Sequence, residues 1–422
     1  MRITMLTQYF PPEVGAAQTR LYSIALELKR RGEDVTVVTA LPNYPTGRLL
    51  PGYRARWSMR ERIGDIDVVR TWIHPATGRN PIGRLVSYLS FSFSALFGCF
   101  KAGRTGKADL VLVESPPLFL GLTGYIFARL SGTKVALNIS DLWPASAQEL
   151  GIITNPLLIW LAERLEHFLY RHVDFVTAVT PGIAESVHRT APRTRLLLLP
   201  NGVDTQLFRR GDTAAVSQWM SPSEIAFIYG GTLGYVSGLD VIIDAASRLV
   251  TRRDIVFVFV GDGPEKARLQ HRVEEAHLGN VRFVAPQPAD AMPAFFSASR
   301  ASIVPLRADD FFKRTLPAKI FPSLACSTPV IHCGDGDAAQ LIAETKSGLV
   351  VPPERADLLA AAVVQLADDP ELATVLGRHG RELVESRFAW SNFVGTWLAE
   401  LRANGYANAG RPPVHMPTDR RG

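Results

Sequence analysis

The sequence predicts two doubly wound α/β domains in tandem, each a parallel sheet covered by helices on both faces. Three observations lead to this prediction. Short, β-branched apolar runs alternate with helical patterns, as in parallel strands that are buried on both faces. The alternation pauses at residues 200–212 and then begins again. At 422 residues the chain is also too long for one ordinary core.

Seven strand-like runs predict the first domain, at residues 1–200. They are RITMLTQYF, DVTVVTA, IDVVRTWI, DLVLVES, KVALNIS, FVTAVT and RLLLLP. The first helix follows the first run: TRLYSIALELKRRG has apolar residues at helical spacing from Leu21 to Leu28, and Gly32 ends it.

Six further runs predict the second domain, at residues 205–388. They are EIAFIYGG, DIVFVFVGDG, VRFVAP, ASIVPL, PVIHCG and GLVVPP. A last helix is expected at residues 390–403. The segment 404–422 has no periodicity, so we expect a flexible tail there.

Composition and charge limit the class of protein. A net charge of +6 favours anionic partners. The three cysteines lack the spacing of a metal site, which indicates a reducing cytoplasm and no structural zinc. The amino terminus has a strand pattern rather than that of a signal peptide. We therefore expect a cytoplasmic protein, and nucleic acid is not among the expected partners.

The longest uncharged run extends from Leu85 to Phe100 and contains several serines. Sixteen residues fall short of the roughly 20 that a membrane-spanning helix needs. Two interpretations stay open. In the first, the run forms a core helix. In the second, it lies at a membrane surface, and the protein makes peripheral contact with the inner face of the cell membrane.

Glycine turns follow several strands, at the sheet edge where open α/β sheets bind ligands. Gly15 precedes the first helix, whose first turns hold Arg20, as at an anion-binding helix amino terminus. Gly230 and Gly231 follow the first strand of the second domain, where free amides would hold a phosphate. GDGPEK gives another such turn after the next strand. Each turn alone is a weak signal.

Two rival site chemistries find little support. A dinucleotide site needs G-x-G-x-x-G after a strand and an acidic residue about 20 positions later, and the chain has neither. Asp65 and Asp67 form a carboxylate pair at the wrong end of a strand. Asp335 and Asp337 lie in an ordinary glycine turn. We therefore expect no metal and no cofactor.

Several motifs occur together in the order seen in one enzyme family. They are QYFPPEVGAAQTR, SDLWPASAQELG, LPNGVD, YGGTLG, GDGPEK, SIVPL, PAKIF and PVI…GLVVPP. Over roughly residues 2–401 the chain resembles the family 4 glycosyltransferases, which are retaining enzymes of the GT-B fold. The DLWP and ESPPL motifs are most similar to the subgroup that builds bacterial O-antigen and capsular polysaccharides. The resemblance implies two Rossmann-like domains facing a cleft, with the last helix packed on the first domain.

The resemblance also implies roles for matching positions. The second domain would hold the nucleotide-sugar donor, through Gly230, Gly231, Thr232, Gly261, Gly263, Pro305, Leu306, Lys319 and Asp337. The first would hold the acceptor, with Arg20, Glu114, Ser115 and Trp143 on that side. The residues implied in catalysis are Asp141, Lys319 and Gly15. Asp141 is equally well explained as a helix N-cap, and Trp143 as core rather than a sugar-stacking ring.

Two departures from the family pattern concern the donor site. TLGYVSG lacks the usual basic residue, which leaves Lys319 as the main cation, with Lys313 and Arg314 as reserves. Pro322 stands where a Glu usually grips the ribose, so the grip is altered, the helix is shortened or activity is impaired. Asp337 is a candidate replacement carboxylate. We predict that Pro322 begins a short helix and that Lys319 lies in the loop before it.

The leading interpretation is a retaining glycosyltransferase that uses a nucleoside diphosphate sugar, UDP-linked, and makes cell-surface polysaccharide. Its acceptor would be a glycan or a polyprenyl-diphosphate-linked sugar. One alternative is a glycosyltransferase that acts on a small natural product. A second is a catalytically degenerate protein that binds a nucleotide sugar, for which Pro322 is the best argument. Nucleotide-sugar 2-epimerases share the layout, but their acidic and histidine groups have no evident counterpart here.

Overall fold

The computed structural model describes residues 1–13, 15–44, 46–54, 56–76, 81–103, 107–149, 155–309, 313 and 316–404. The predictions made for Arg314 and for the tail beyond residue 404 lie outside these residues. The chain divides into two compact units. The first comprises residues 1–201 together with the last helix from Phe393 onward, and the second is Gly202–Asn392.

The first unit contains an eight-stranded sheet in the order β3-β4-β2-β1-β5-β6-β7-β8. Its strands are β1 Arg2–Leu6, β2 Asp34–Ala40, β3 Ser58–Ile63, β4 Ile66–Thr71, β5 Leu110–Ser115, β6 Lys134–Ile139, β7 Phe175–Ala178 and β8 Leu196–Leu198. Its helices are α1 Ala16–Arg30, α2 Pro81–Ala102, α3 Leu118–Ser131, α4 Ala145–Glu149, α5 Pro156–His172 and α6 Pro181–Thr190. Only β3 runs antiparallel, against β4. The strand order reverses beside β1, the place where such sheets bind ligands.

The second unit contains a six-stranded parallel sheet in the order β11-β10-β9-β12-β13-β14. Its strands are β9 Ile225–Gly230, β10 Ile255–Val260, β11 Val281–Val284, β12 Ser299–Pro305, β13 Val330–Cys333 and β14 Gly348–Val351. Its helices are α7 Asp240–Arg248, α8 Lys266–Glu275, α9 Met292–Ala298, α10 Ile320–Ala325, α11 Asp337–Thr345, α12 Ala356–Asp368 and α13 Pro370–Leu383. Here the strand order reverses beside β9. The predicted fold class, two doubly wound α/β domains, is confirmed.

Helix α2 has one buried face and one exposed apolar face. Phe91, Ala95 and Cys99 are fully buried in the first unit's core, as the core-helix interpretation requires. The opposite face exposes Phe93 and Phe97, which are 61% and 54% accessible. In the described part of the chain, this is the one helix long and apolar enough to cross a membrane by length and composition, criteria that core helices also meet.

The last helix, α14 Trp390–Asn404, packs on the first unit. Trp397 is fully buried, and its indole nitrogen donates to the Thr177 hydroxyl at 3.1 Å. Arg402 pairs with buried Glu33, and Arg195 donates to the Asn404 carbonyl at 3.1 Å. The segment thus supplies part of the first unit's core although it follows the second unit in sequence.

Candidate active site

The turn between β9 and α7, Gly231–Gly238, lies at the point where the second sheet reverses its strand order. Gly231 has a φ of +139°, a conformation that favours glycine. The expectation of a free amide at Gly231 is wrong, because that amide donates to the Val260 carbonyl at 3.0 Å. Leu233 is likewise bonded, to the Asp262 carbonyl. Within the described residues, the amide of Thr232 is the one at the start of this turn that has no backbone partner.

Lys319 lies beside that turn. Its ammonium donates to the Tyr229 hydroxyl at 2.6 Å and to the Ser237 hydroxyl at 3.2 Å. The ammonium nitrogen is also 3.8 Å from the position that a Cβ atom on Gly231 would occupy. The structure therefore brings together Gly231 and Lys319, two positions far apart in sequence.

The prediction that Pro322 begins helix α10 is wrong. Pro322 is the third residue of that helix. The helix starts at Ile320, whose amide donates to the Pro317 carbonyl at 3.0 Å, and Lys319 is its N-cap. An amide in the first helical turn has no intrahelical acceptor, so a proline there removes no helical hydrogen bond. The helix is short, with six residues, and Lys319 directly precedes it.

The second glycine turn, after β10, packs against the first. A Cβ atom on Gly261 would lie 2.0 Å from the Gly231 carbonyl oxygen, and one on Gly263 would lie 2.3 Å from that of Leu233. Both glycines have positive φ values, +152° and +159°. Their smallness therefore permits backbone contact between two turns, a structural reason that holds with or without a ligand.

A cavity of about 490 Å³ opens beyond the carboxyl ends of β12, β13 and β14. Its lining is Leu306, Arg307, Ala308, Asp309, Lys313, Asp335 and Pro353. Pro305 ends β12 and is buried, directly before Leu306. Asp337 begins α11 and is exposed. The carboxylates that line this cavity are thus those of Asp309 and Asp335, and the predicted Asp337 is not among the lining residues.

A buried polar network lies at the carboxyl ends of β5 and β6 in the first unit. Arg20 pairs with Glu114, whose other oxygen accepts from the side-chain amide of Asn138 at 2.6 Å. All three side chains are at least nine-tenths buried. One terminal nitrogen of Arg20 and the amide oxygen of Asn138 have no hydrogen-bond partner among the described residues. Arg20 and Glu114 are therefore joined directly to each other, and Asn138, which the sequence did not single out, binds the second oxygen of Glu114.

The loop that carries Gly15 is held by a second buried carboxylate. Glu13 accepts from the amides of Asn43 and Tyr44, at 2.7 and 2.8 Å. Burial raises the pKa of Glu13, and the two amides act in the opposite direction. Gly15 itself is extended, with a φ of 172°, directly before α1. In the sequence, the motif PPE at residues 11–13 was the feature that could have pointed to Glu13.

The other predicted acceptor-side residues differ in exposure. Ser115 ends β5, is buried, and its carbonyl accepts from the amide of Ser140 at 2.9 Å. Trp143 packs against the first unit's core, with its ring 6.2 Å from that of Phe119. Asp141 is exposed in the turn after β6. Of these three, Asp141 presents its side chain most openly.

Few side chains in the described residues are candidates for binding a metal ion or for catalysis by histidine. The residues that the structure describes contain no group of three or more His, Cys, Asp or Glu side chains placed to hold a metal ion. His332 is fully buried on β13, with Nδ1 2.7 Å from the Val304 carbonyl oxygen. Burial lowers the pKa of His332. This histidine is packed in the interior of the second unit.

Two family models match the two units. The model of the glycosyl transferase 4-like domain matches residues 15–202, and that of glycosyl transferases group 1 matches residues 218–383. The chain belongs to glycosyltransferase family 4. As such it is a glycosyltransferase, and the enzyme class expected from the sequence is confirmed.

Curated relatives and solved structures match this glycosyltransferase over nearly its full length. The putative colanic acid biosynthesis glycosyl transferase WcaI of Escherichia coli K12 is 25% identical, over 95% of this chain and 100% of its own. The 2-deoxystreptamine N-acetyl-D-glucosaminyltransferase of Streptomyces fradiae is 26% identical, over 91% and 95%. Sucrose-phosphate synthase of Thermosynechococcus elongatus superposes with a TM-score of 0.71 at 20% identity, over 95% and 99%. Anabaena HepE, in complex with UDP and glucose, superposes at 0.64 and 16%, over 96% and 100%. The likeness to these structures establishes the GT-B fold.

Proposed function

We propose that this glycosyltransferase transfers a sugar, with retention of its anomeric configuration, from a UDP-linked donor to a glycan or a polyprenyl-diphosphate-linked acceptor. The observation that carries the proposal is the Lys319 ammonium beside the Gly231 turn. That pair stands at the strand reversal of the second sheet, where a diphosphate would meet both a cation and the turn. The complex of HepE with UDP and glucose supports a UDP-linked donor.

Stabilisation of the leaving group is the chemistry that this arrangement supplies. As the bond between the anomeric carbon and the β-phosphate oxygen breaks, the nucleoside diphosphate gains negative charge. A preorganised ammonium and backbone amide stabilise that charge without reorganising during the reaction. We assign this task to Lys319 and the Thr232 amide of the second unit. We therefore propose that the reaction requires no metal ion.

Cell-surface polysaccharide is the product class that the proposal favours. The relative WcaI is described by its role in colanic acid biosynthesis, and it matches this chain along its whole length. The second candidate is transfer to a small natural product, which the match to the 2-deoxystreptamine N-acetyl-D-glucosaminyltransferase favours. A lipid-linked acceptor partitions into membranes, whereas an aminocyclitol stays in water. Assays with acceptors of both kinds therefore distinguish the two candidates.

The exposed face of α2 supports the proposal of an acceptor at an anionic membrane. Its apolar side chains are spaced three or four residues apart, as on one side of a helix: Val86, Leu89, Phe93, Phe97 and Phe100. The neighbouring helices α3 and α5 add the exposed side chains Ile126, Leu130, Leu157, Leu158, Trp160 and Leu161. We name these eleven side chains the apolar face. All three helices pack on the same core cluster, on one side of the sheet.

Charge is distributed unequally along the chain: the first unit has an excess of basic residues, as contact with an anionic membrane requires. Residues 1–201 contain 23 Lys and Arg against 15 Asp and Glu. Residues 202–392 contain 19 against 23. The excess of positive charge thus belongs to the unit that carries the apolar face, and apolar burial combined with attraction to anionic lipid gives peripheral binding.

The experiment that tests the function measures nucleotide release. The purified chain is incubated with UDP-, GDP- and dTDP-sugars, with a bacterial lipid extract or with 2-deoxystreptamine. We expect UDP release that depends on the lipid extract, and loss of that release in Lys319→Ala. Release that depends on 2-deoxystreptamine alone would favour the second candidate. Binding of a nucleotide sugar without release under any condition would favour the catalytically degenerate alternative.

A further inference from the structure

Two cations from distant segments flank the Gly231–Gly238 turn, which itself contains no basic residue. Lys319, before α10, contacts the turn at Gly231 and Ser237. Arg307, two residues after the end of β12, contacts the turn at Tyr235 and Gly238. The sequence suggested that the turn was short of positive charge. The fold places a second cation there from another strand.

Three contacts fix Arg307. Its amide donates to the Val236 carbonyl at 3.2 Å, and its Nε donates to the Tyr235 carbonyl at 2.8 Å. The guanidinium carbon is 3.7 Å from the centre of the Tyr235 ring. A guanidinium that lies on an aromatic ring keeps its planar fork in one orientation. Little side-chain entropy is therefore left to lose when that fork meets a ligand.

The terminal nitrogens of Arg307 are unused. Within the described part of the chain, only its amide and Nε have hydrogen-bond acceptors. Arg307 also lines the 490 Å³ cavity at the carboxyl ends of β12–β14. The Arg307 side chain can lie this close to the turn because residue 238 is glycine. A Cβ atom there would lie 3.2 Å from the arginine Cγ. The arrangement holds the guanidinium at the turn and leaves its fork open toward the cavity.

We propose that Arg307 is a second phosphate-binding residue of the donor site and acts on the diphosphate together with Lys319. The inference rests on the proposed function of this site. Arginine forks match the geometry of phosphate oxygens and bind them with two parallel hydrogen bonds. Lys319 supplies a point charge beside Gly231 and Ser237, and Arg307 supplies an oriented fork beside Tyr235 and Gly238. The basic residue that the turn itself lacks is thereby replaced from the end of β12.

Calorimetric titration tests this role. Wild type is titrated with UDP, GDP and dTDP, and then with the monophosphate of the nucleotide that binds most tightly. For Arg307→Gln we expect the affinity for the diphosphate to fall about 10- to 100-fold, the effect of losing hydrogen bonds to a charged group. We expect the affinity for the monophosphate to change by less than about threefold, the scatter of a surface substitution. Arg307→Lys keeps the charge without the fork and should give an intermediate value.

The matched control is Arg378→Gln. Arg378 is exposed on α13, next to Gly377, which packs against the Ser327 carbonyl ahead of β13. It therefore lies toward the amino end of the sheet, away from the turn. Its substitution should leave both affinities unchanged.

Several outcomes would overturn the inference. Diphosphate affinity within about threefold of wild type in Arg307→Gln would show that the fork contacts no phosphate. Equal losses for diphosphate and monophosphate would mean that Arg307 only shapes the turn. If Arg307→Gln does not fold, Arg307→Lys decides, because full diphosphate affinity in that variant excludes a role for the fork. If wild type binds no nucleoside diphosphate, the proposed function fails as well.

Discussion

Replacing Lys319 with alanine is the perturbation that tests the donor site most sharply. The ammonium makes two hydrogen bonds, to Tyr229 and Ser237. An ammonium has three N–H groups, so one remains for a ligand. Because the nitrogen is 3.8 Å from the Cβ position of Gly231, a phosphate oxygen held at the start of the turn would lie about 4 Å from the charge.

The size of the effect follows from that distance. Two unit charges about 4 Å apart interact by about 4 kcal/mol at an effective dielectric constant of about 20. Removing one preorganised donor from a developing oxyanion costs about 2.7–4 kcal/mol in other enzymes, or about 10²–10³ in rate. We therefore expect Lys319→Ala to lower kcat/KM by about 10²–10³.

The assay is steady-state release of nucleoside diphosphate at several donor concentrations. Lys319→Arg retains the positive charge and is expected to recover part of the rate. Lys319→Met keeps a long side chain without charge and should match the alanine variant. Unchanged kcat/KM in Lys319→Ala, or a methionine variant as active as wild type, would refute the claim that this lysine carries the charge of the leaving group.

Four further predictions follow from other features of the chain. Turnover with and without EDTA should match, and a loss greater than about tenfold would mean that a metal ion carries the phosphate charge. Pro322→Glu places an acceptor in the first turn of α10, so KM for the donor should fall; an unchanged KM would mean that the ribose does not reach this helix. Sedimentation with anionic vesicles should fall as salt rises, since surface charge is screened within about 8 Å; it should also fall in Phe93→Asp/Phe97→Asp, but not in the control Val375→Asp on α13. Burial lowers the pKa of His332 below 6.5 in the native state, so the unfolded chain binds more protons and the free energy of unfolding should decrease as pH falls below about 6.5. Urea denaturation of His332→Gln should show a weaker decrease, and an identical pH dependence would contradict this explanation.

The sheets were predictable because their strands are buried on both faces. Every parallel strand corresponds to an apolar run that could be read from the sequence. Strand β3 was missed, because SMRERI is an antiparallel edge strand with only half-buried or exposed side chains. Its pairing with β4 supplies the backbone hydrogen bonds, and apolar burial contributes little. A pattern of apolar residues therefore does not mark it.

The candidate site was predictable only in part, because turns and side-chain networks depend on the tertiary fold. Lys319 was named from a motif, and the structure places it beside Gly231. Arg307 was not named, although a basic residue directly after an apolar strand end was a usable signal. The network of Arg20, Glu114 and Asn138 joins a helix to two strands, and no local pattern reveals it.

The start of α10 shows a second limit. The sequence correctly indicated that Pro322 must avoid a mid-helix position. It did not distinguish the first residue of the helix from the third, since neither position has an intrahelical acceptor for its amide. The hydrogen bond from the Ile320 amide to the Pro317 carbonyl, visible only in the structure, marks the start of the helix.

Hydrogen exchange tests most directly whether the Gly231–Gly238 turn is the donor site. Amide exchange is measured by mass spectrometry on the whole chain, alone and with UDP, GDP or dTDP at saturation. We predict slower exchange in peptides that cover residues 230–238 and 316–325 with one of these nucleotides, since ligand contacts suppress local opening. No change in either segment with any of them, or protection confined to the first unit, would contradict the assignment.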